Sequence, residues 1–197
     1  MCFSKNLCGI KNKMNELKEY LNKIVHFTES EMRLFTSIFS EKHLKKNEYF
    51  ATEGEYSSKF AFLSIGIVRA FYRNNEGSEY NKTFFSKKGL IGAYSSLVSN
   101  QKNQINLQCL TDCSFLIADF SEFKKLFDIN PKTERLARLL AEQFFVSKEK
   151  REIELVMLDA TERFKIYSLF PDRWILNFWV FSNLAYWNST RNTTFVR

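Results

Sequence analysis

The chain has 197 residues, 45% of them hydrophobic, and a formal net charge of +7 at pH 7. A buried core is expected, in one large domain or in a medium domain plus a small one, and the basic balance leans toward an anionic partner, nucleic acid before a membrane surface. No apolar run approaches ~18 residues and the N-terminus has no signal-peptide core, which argues against a membrane span or a secreted chain. The four cysteines, Cys2, Cys8, Cys109 and Cys113, show no C-x-x-C spacing, and His26 and His43 are the only histidines, which argues against a structural zinc site.

Residues 11–26 place Met14, Leu17, Leu21 and Ile24 three and four apart, which predicts an amphipathic helix. Residues 28–31, Thr-Glu-Ser-Glu, form a capping box: the Thr28 hydroxyl accepts from the third helical amide while Glu31 reaches back. A helix should start there, with Met32, Phe35, Ile38 and Phe39 facing inward. Residues 44–50 lead into a stretch punctuated by glycine, since five of the six glycines fall between Gly54 and Gly92. Apolar-rich runs alternate with turn residues: Phe60–Ile65, Gly66, Ile67–Tyr72, Asn74-Asn75-Glu76-Gly77, Tyr80–Phe85, Lys88-Gly89. Strands repeated at so short a spacing predict a small antiparallel roll or barrel. Leu107, Cys109 and Leu110, then Phe115 to Ala118, supply its last strands, and the roll should end near Phe120.

Ser121 is placed to cap a short helix, EFKKLFDI. Asn130-Pro131 restarts a helix, with Asn130 as cap and Pro131 at the first position, where its missing N–H costs nothing. That helix is predicted to run to about Leu158, about 28 residues and longer than usual. Leu136, Leu139, Leu140, Phe144 and Val146 line one side, and Ile153, Val156 and Met157 continue it. The stripe suits either packing on the chain's own roll or pairing with a second copy. Asp159-Ala160-Thr161-Glu162 is a second capping box, followed by Arg163, Phe164, Tyr167 and Leu169 before Pro171.

The glycine pattern of residues 53–94, combined with LDATERF at 158–164, resembles the Crp/Fnr transcription regulators over residues 30–172. The resemblance implies an α+β fold. An antiparallel, cyclic-nucleotide-binding-type double-stranded β-roll would be flanked by N-terminal helices and a long dimerisation helix. It divides the chain into residues 1–130, 131–158 and 159–197, the last holding a helix-turn-helix remnant. It implies a homodimer paired through Leu136, Leu139, Leu140, Val146 and Ile153, DNA as partner, a small-molecule effector of unknown identity and a cytoplasmic, bacterial protein.

Family members that bind cyclic nucleotides carry a phosphate cassette: Gly-Glu, whose carboxylate accepts from the ribose, then an Arg that pairs with the phosphate. Here the first element reads Ile91-Gly92-Ala93-Tyr94 and the second Asn103-Gln104-Ile105-Asn106. By resemblance the effector pocket comprises Gly92, Ala93, Tyr94, Gln104 and Ile105, without the carboxylate or the guanidinium. A cyclic nucleotide there would leave its phosphate unpaired, so no cofactor or cyclic nucleotide is expected.

After Asp172 the composition changes. Residues 173–197 contain no Asp, Glu or Lys and all three tryptophans. A recognition helix needs polar and basic residues aimed at bases and phosphates, and this segment lacks the turn glycine. Synonymous codons let Leu184–Thr194, shifted by one base, spell Gly-Ile-Pro-Pro-Ala-Thr-Leu, similar to the family's turn and recognition-helix start. The expectation is a change of reading frame after about Phe170–Arg173, set against a diverged or truncated C-terminus; either impairs DNA binding.

No catalytic constellation is present: there is no Gly-x-Ser-x-Gly and no Ser-His-Asp arrangement, and Gly89-Leu-Ile-Gly92 lacks the P-loop Lys. Lys148, Lys150 and Arg151 read as a solvated helix face or as phosphate contacts. The chain reads as a Crp/Fnr-like regulator, not an enzyme. The other reading is a stand-alone module that binds a small ligand or a protein and never DNA.

Overall fold

The computed structural model describes residues 3–86, 88–159, 161, 162 and 165. The chain divides after Gln143 into two compact units. In the first, α1 (Phe3–Asn22) starts earlier than its apolar stripe predicts and buries Leu17 and Leu21 completely. It stops before Ile24, which lies half-buried in the turn that follows. α2 (Glu29–Thr36) begins at the capping box: the Glu31 amide donates to Thr28 Oγ1 at 3.3 Å, and the Thr28 amide to Glu31 Oε2 at 2.6 Å. Met32, Phe35 and Phe39 are buried, as the pattern predicts, and Ile38 is partly buried.

Eight strands follow: β1 (Ser40–Leu44), β2 (Tyr49–Ala51), β3 (Lys59–Ile65), β4 (Val68–Arg73), β5 (Glu79–Phe85), β6 (Gly89–Ile91), β7 (Asn106–Cys109) and β8 (Cys113–Asp119). They form two four-stranded sheets, ordered β1-β8-β3-β6 and β2-β7-β4-β5, with every pair antiparallel. Gly89, read from sequence as turn punctuation, instead pairs with Leu63 in the first sheet. The β4–β5 hairpin turns where the Asn-rich run predicts: Asn74 Oδ1 accepts from the Glu76 and Ser78 amides, and Gly77 adopts φ +84°. That φ suits glycine, which lacks the Cβ that penalises left-handed backbone.

β3 and β8 lie side by side in register, Ala61 opposite Ile117 and Phe62 opposite Leu116. Both of their faces are covered. Phe60, Phe62, Leu116 and Ala118 point toward the helices and pack with Leu17, Leu21, Phe35, Phe123 and Leu136. Ala61, Leu63, Cys113 and Phe115 point into the roll and pack with Val68, Ala70, Ile91, Leu107 and Cys109. Strands buried on both faces read as continuous apolar runs, which is why FAFL and FLIA lack the usual alternation. The heavy use of Phe is explained on the helical side, where Phe123 meets Phe35, Phe60 and Phe127 at centroid distances of 5.9, 5.2 and 5.0 Å. Aromatic contacts at these separations add to the burial energy of each ring, itself about 1.5–3 kcal/mol.

α3 (Tyr94–Ser99), α4 (Phe120–Ile129) and α5 (Pro131–Met157) complete the described elements. α4 starts one residue before Ser121, behind Asp119. The Phe120 amide donates to the Ser58 carbonyl at 2.8 Å and its ring meets Phe60, so the end of β8 sets the helix start. At α5, Asn130 caps as predicted, with Oδ1 accepting from the Lys132 amide at 3.0 Å. Thr133, Leu136 and Leu140 are buried in the first unit. Farther on, the second capping box is formed: Asp159 Oδ1 accepts from the Glu162 amide and Glu162 Oε2 from the Asp159 amide. The helix-turn-helix remnant beyond 165 and the change of frame lie outside the described residues.

Leu136 is fully buried on the helical face of the first sheet. Leu136→Ala should lower unfolding stability by about 2–5 kcal/mol in a urea titration, through lost burial plus the cavity left behind. A loss under about 1 kcal/mol would mean the helix is not docked there.

Candidate effector site

Four segments meet at one corner of the roll: the end of β6, helix α3, residues 100–106, and the loop 52–57. Gly92 follows β6, and a Cβ there would lie 3.3 Å from Leu97 Cδ1 and from Phe60 Cβ. The corner is tight enough to favour glycine. Ala93 precedes α3, is buried, and offers no side-chain cap; its carbonyl accepts from the Leu97 amide at 3.1 Å.

The centre of the corner is Asn103. It is 4% exposed, and every polar group it carries is used. Its amide nitrogen donates to the Thr52 carbonyl at 3.1 Å and to Ser57 Oγ at 2.8 Å. Its backbone N–H donates to the Glu55 carbonyl at 2.8 Å, and its carbonyl accepts from Gly54 at 2.9 Å. Ser96, also buried, extends the network from α3: its hydroxyl donates to the Gln101 carbonyl at 2.5 Å and accepts from the Ser57 amide at 3.3 Å. Asn106 adds a further tie, its Oδ1 accepting from the Glu53 amide at 2.9 Å. Asn106 Nδ2 also donates to Glu53 Oε2 at 3.3 Å, so the loops that could frame a ligand are stitched to one another by short side chains.

The pocket residues expected from sequence separate into two kinds. Ala93 and Ile105 join the apolar interior of the roll, while Tyr94 and Gln104 are exposed. Asn103, Ser96 and Ser57 were not singled out in the sequence. The signal was the pair of buried polar positions inside apolar surroundings, which only the fold identifies. Neither cassette position presents a charged side chain.

Residues 41–130, which run from β1 to the end of α4, match the family model of the cyclic nucleotide-binding domain. These residues have the fold of a cyclic nucleotide-binding domain. Solved structures with this fold include the Thermus thermophilus catabolite activator protein, at 17% identity and TM-score 0.57, covering 67% of this chain and 60% of that one. A cyclic nucleotide-binding domain from Methylobacillus flagellatus aligns at 15% identity and TM-score 0.64, covering 73% and 82%. FixK2 of Bradyrhizobium japonicum aligns at 20% identity and TM-score 0.59, covering 69% and 67%. The structural neighbours include Crp/Fnr-family transcription regulators. No curated protein matches the sequence.

On the other face of the second sheet, the domain carries a charged cluster. Arg69 donates through Nε and Nη2 to Gln108 Oε1 at 2.9 and 2.7 Å and pairs with Glu79 at 2.7 Å. Arg73 holds the other Glu79 oxygen at 2.8 Å, and the Arg69 guanidinium sits 4.0 Å from the centre of the fully buried Phe71 ring. Burial pushes the Glu79 carboxyl up, but the hydrogen bonds and charges of Arg73 and Arg69 outweigh it and hold it below the ordinary glutamate range. A depressed carboxylate contributes stability above its unfolded pKa and loses it as pH falls through the folded value.

Of the helix residues expected at a dimer seam, Leu136 and Leu140 belong to the chain's own core and Leu139 is half-buried against it. Val146 and Ile153 are 65% and 58% exposed.

Two measurements check this geometry. Asn103→Ala should cost about 1–3 kcal/mol in urea unfolding, since it strands the Thr52 carbonyl and the Ser57 hydroxyl. Unchanged stability would show that the corner is not stitched. Glu79→Gln should flatten the acid limb of the stability–pH curve below about pH 5, where wild type loses the Glu79 contribution. A variant whose acid limb matches wild type would remove Glu79 from that account.

Proposed function

We propose that the chain is a Crp/Fnr-like transcription regulator, located in the cytoplasm, that does not use a cyclic nucleotide as its signal. The roll is the sensor, the exposed part of α5 pairs two copies, and the segment beyond 158 meets DNA. One observation carries this reading: a roll with the cyclic nucleotide-binding fold leads through α4 into a 27-residue helix, and that helix is followed by a formed capping box. The basic balance supports an anionic partner, and among the described residues no helix is long and apolar enough to cross a membrane.

The signal is proposed from the corner around Asn103. A cyclic phosphate needs a guanidinium, and no Arg lies in the four segments; Asn103, Ser57 and Ser96 bond one another, and the Glu53 carboxylate accepts from Asn106 Nδ2 at 3.3 Å. Displacing them would leave buried polar groups without partners, at a cost comparable to the gain from the ligand.

Dimer formation would use Val146, Ile153, Val156 and Met157, all more than half exposed. Burying such a stripe removes apolar surface from water on both copies. Residues 173–197 carry three Trp and no Asp, Glu or Lys, so base-specific reading is proposed to be impaired. What DNA affinity remains would come from counterion release and fall steeply with salt.

Sedimentation of the full chain at tens of micromolar should report a dimer, and Ile153→Glu should shift it to monomer with the roll still folded. In filter binding, unrelated duplexes should be held alike at low salt and released at physiological salt. A monomeric wild type, or a tight footprint on one operator at physiological salt, contradicts the corresponding part of the proposal.

A further inference from the structure

Three turns converge at the corner of the roll opposite α3: residues 45–48, Gly66-Ile67, and Leu110–Asp112. The β7–β8 connection is the hub. The Cys109 amide donates to the Glu48 carbonyl at 2.8 Å, and its carbonyl accepts from Asn47 at 2.7 Å. Leu110 donates to the Ile67 carbonyl at 2.8 Å, and the Thr111 hydroxyl accepts from the Ile67 amide at 3.0 Å. Asp112 accepts from the Lys46 amide at 2.9 Å.

Beneath this hub lie two free thiols, Cys109 and Cys113, separated by three residues and each at most 3% exposed. They share one apolar cluster at the two ends of the short β7–β8 connection. Cys113 Sγ lies 3.5 Å from the Ile67 carbonyl and 3.3 Å from the Thr111 carbonyl. The chain over it is Gly66, at φ +108°, where an added Cβ would stand 2.5 Å from that sulfur. A half-buried glycine backbone, and no side chain, therefore covers Cys113 at this point.

The two sulfurs are also differentiated. The neighbouring Cys109 thiol shifts the Cys113 thiol below its ordinary range against the opposing effect of burial, while Cys113 and burial push Cys109 up. A thiolate is the attacking species in thiol oxidation, and a neighbouring thiol resolves it.

We propose that Cys109 and Cys113 are a redox pair that closes to an intrachain disulfide under a small hydroperoxide. The Cys113 thiolate attacks one peroxide oxygen, the O–O bond breaks, and the departing hydroxide takes up the proton Cys113 had released. The Cys109 sulfur then attacks the Cys113 sulfenic acid; its S–O bond breaks and hydroxide leaves with the Cys109 proton as water. Two thiols and one hydrogen peroxide give one disulfide and two waters. Bond formation brings the sulfurs to about 2 Å of each other, which must move the three-residue turn between them. Gly66-Ile67 and residues 46–48 are bonded to that turn and would move with it. This inference stands apart from DNA binding.

The test uses the full chain with Cys2→Ser and Cys8→Ser, reduced and then exposed to hydrogen peroxide. Thiols are blocked with a maleimide under denaturing conditions before tryptic digestion. Both cysteines fall in one fragment, residues 103–124. The expected fragment is lighter by two hydrogen atoms, takes no maleimide, and takes two after reductant. The folded chain should reach that state faster than the chain in urea, because the fold places the thiols together. Adding Cys109→Ser should leave Cys113 as a sulfenic acid trapped by dimedone. The proposal is overturned if both thiols still take maleimide, if the fragment gains oxygen without losing hydrogen, or if unfolding speeds the oxidation.

Discussion

The constraint on which the structure depends is the two-sided burial of β3 and β8. Their paired residues face helices on one side and the roll interior on the other, so one pair of strands serves two cores. A polar substitution on either face has no water to turn to. The same arrangement positions the helices: Phe60 and Phe62 receive Phe39, Phe123 and Tyr20, which fixes where α1, α2 and α4 lie. With both cores tied to the same strands, neither sheet is free to shift register without exposing an entire face.

The candidate effector corner is built against that rigid frame. Asn103, Ser57 and Ser96 are hydrogen-bonded across its three loops. A network in which every member is satisfied rigidifies its surroundings. On the proposed reading this corner has exchanged a ligand-dependent closure for a built-in one, and responsiveness resides elsewhere in the molecule. The Arg69–Glu79–Arg73 cluster, by contrast, is charged but fully engaged with itself.

Most of the architecture was legible in the sequence, and for identifiable reasons. Thr28 with Glu31, Asn130 with Pro131, and Asp159 with Glu162 are local signals whose chemistry operates within four residues, and all three caps form. Gly66 and Gly77 marked turns because a residue without Cβ adopts their positive φ at no steric cost. What was not legible depends on distant partners. β1 and β2 are short and lie at sheet edges, and α3 has six residues, too few for a periodic signal. Leu136 and Leu140 were grouped from sequence with Val146 and Ile153, yet the first two are core and the last two, about 80–140° round the helix from them, are exposed. Periodicity names a face without saying what covers it. The Asn103 network was hidden for the same reason, since Thr52, Ser57 and Ser96 are remote in sequence.

The central claim is that a cyclic nucleotide-binding fold has here closed its own ligand corner. A calorimetric titration of the full chain with cAMP, and separately with cGMP, tests it most directly. The account predicts no binding heat beyond dilution at ligand concentrations well above micromolar, with the roll shown folded in the same sample. Saturable binding of either nucleotide at micromolar concentration, abolished by Asn103→Ala or Ala93→Lys, would contradict it.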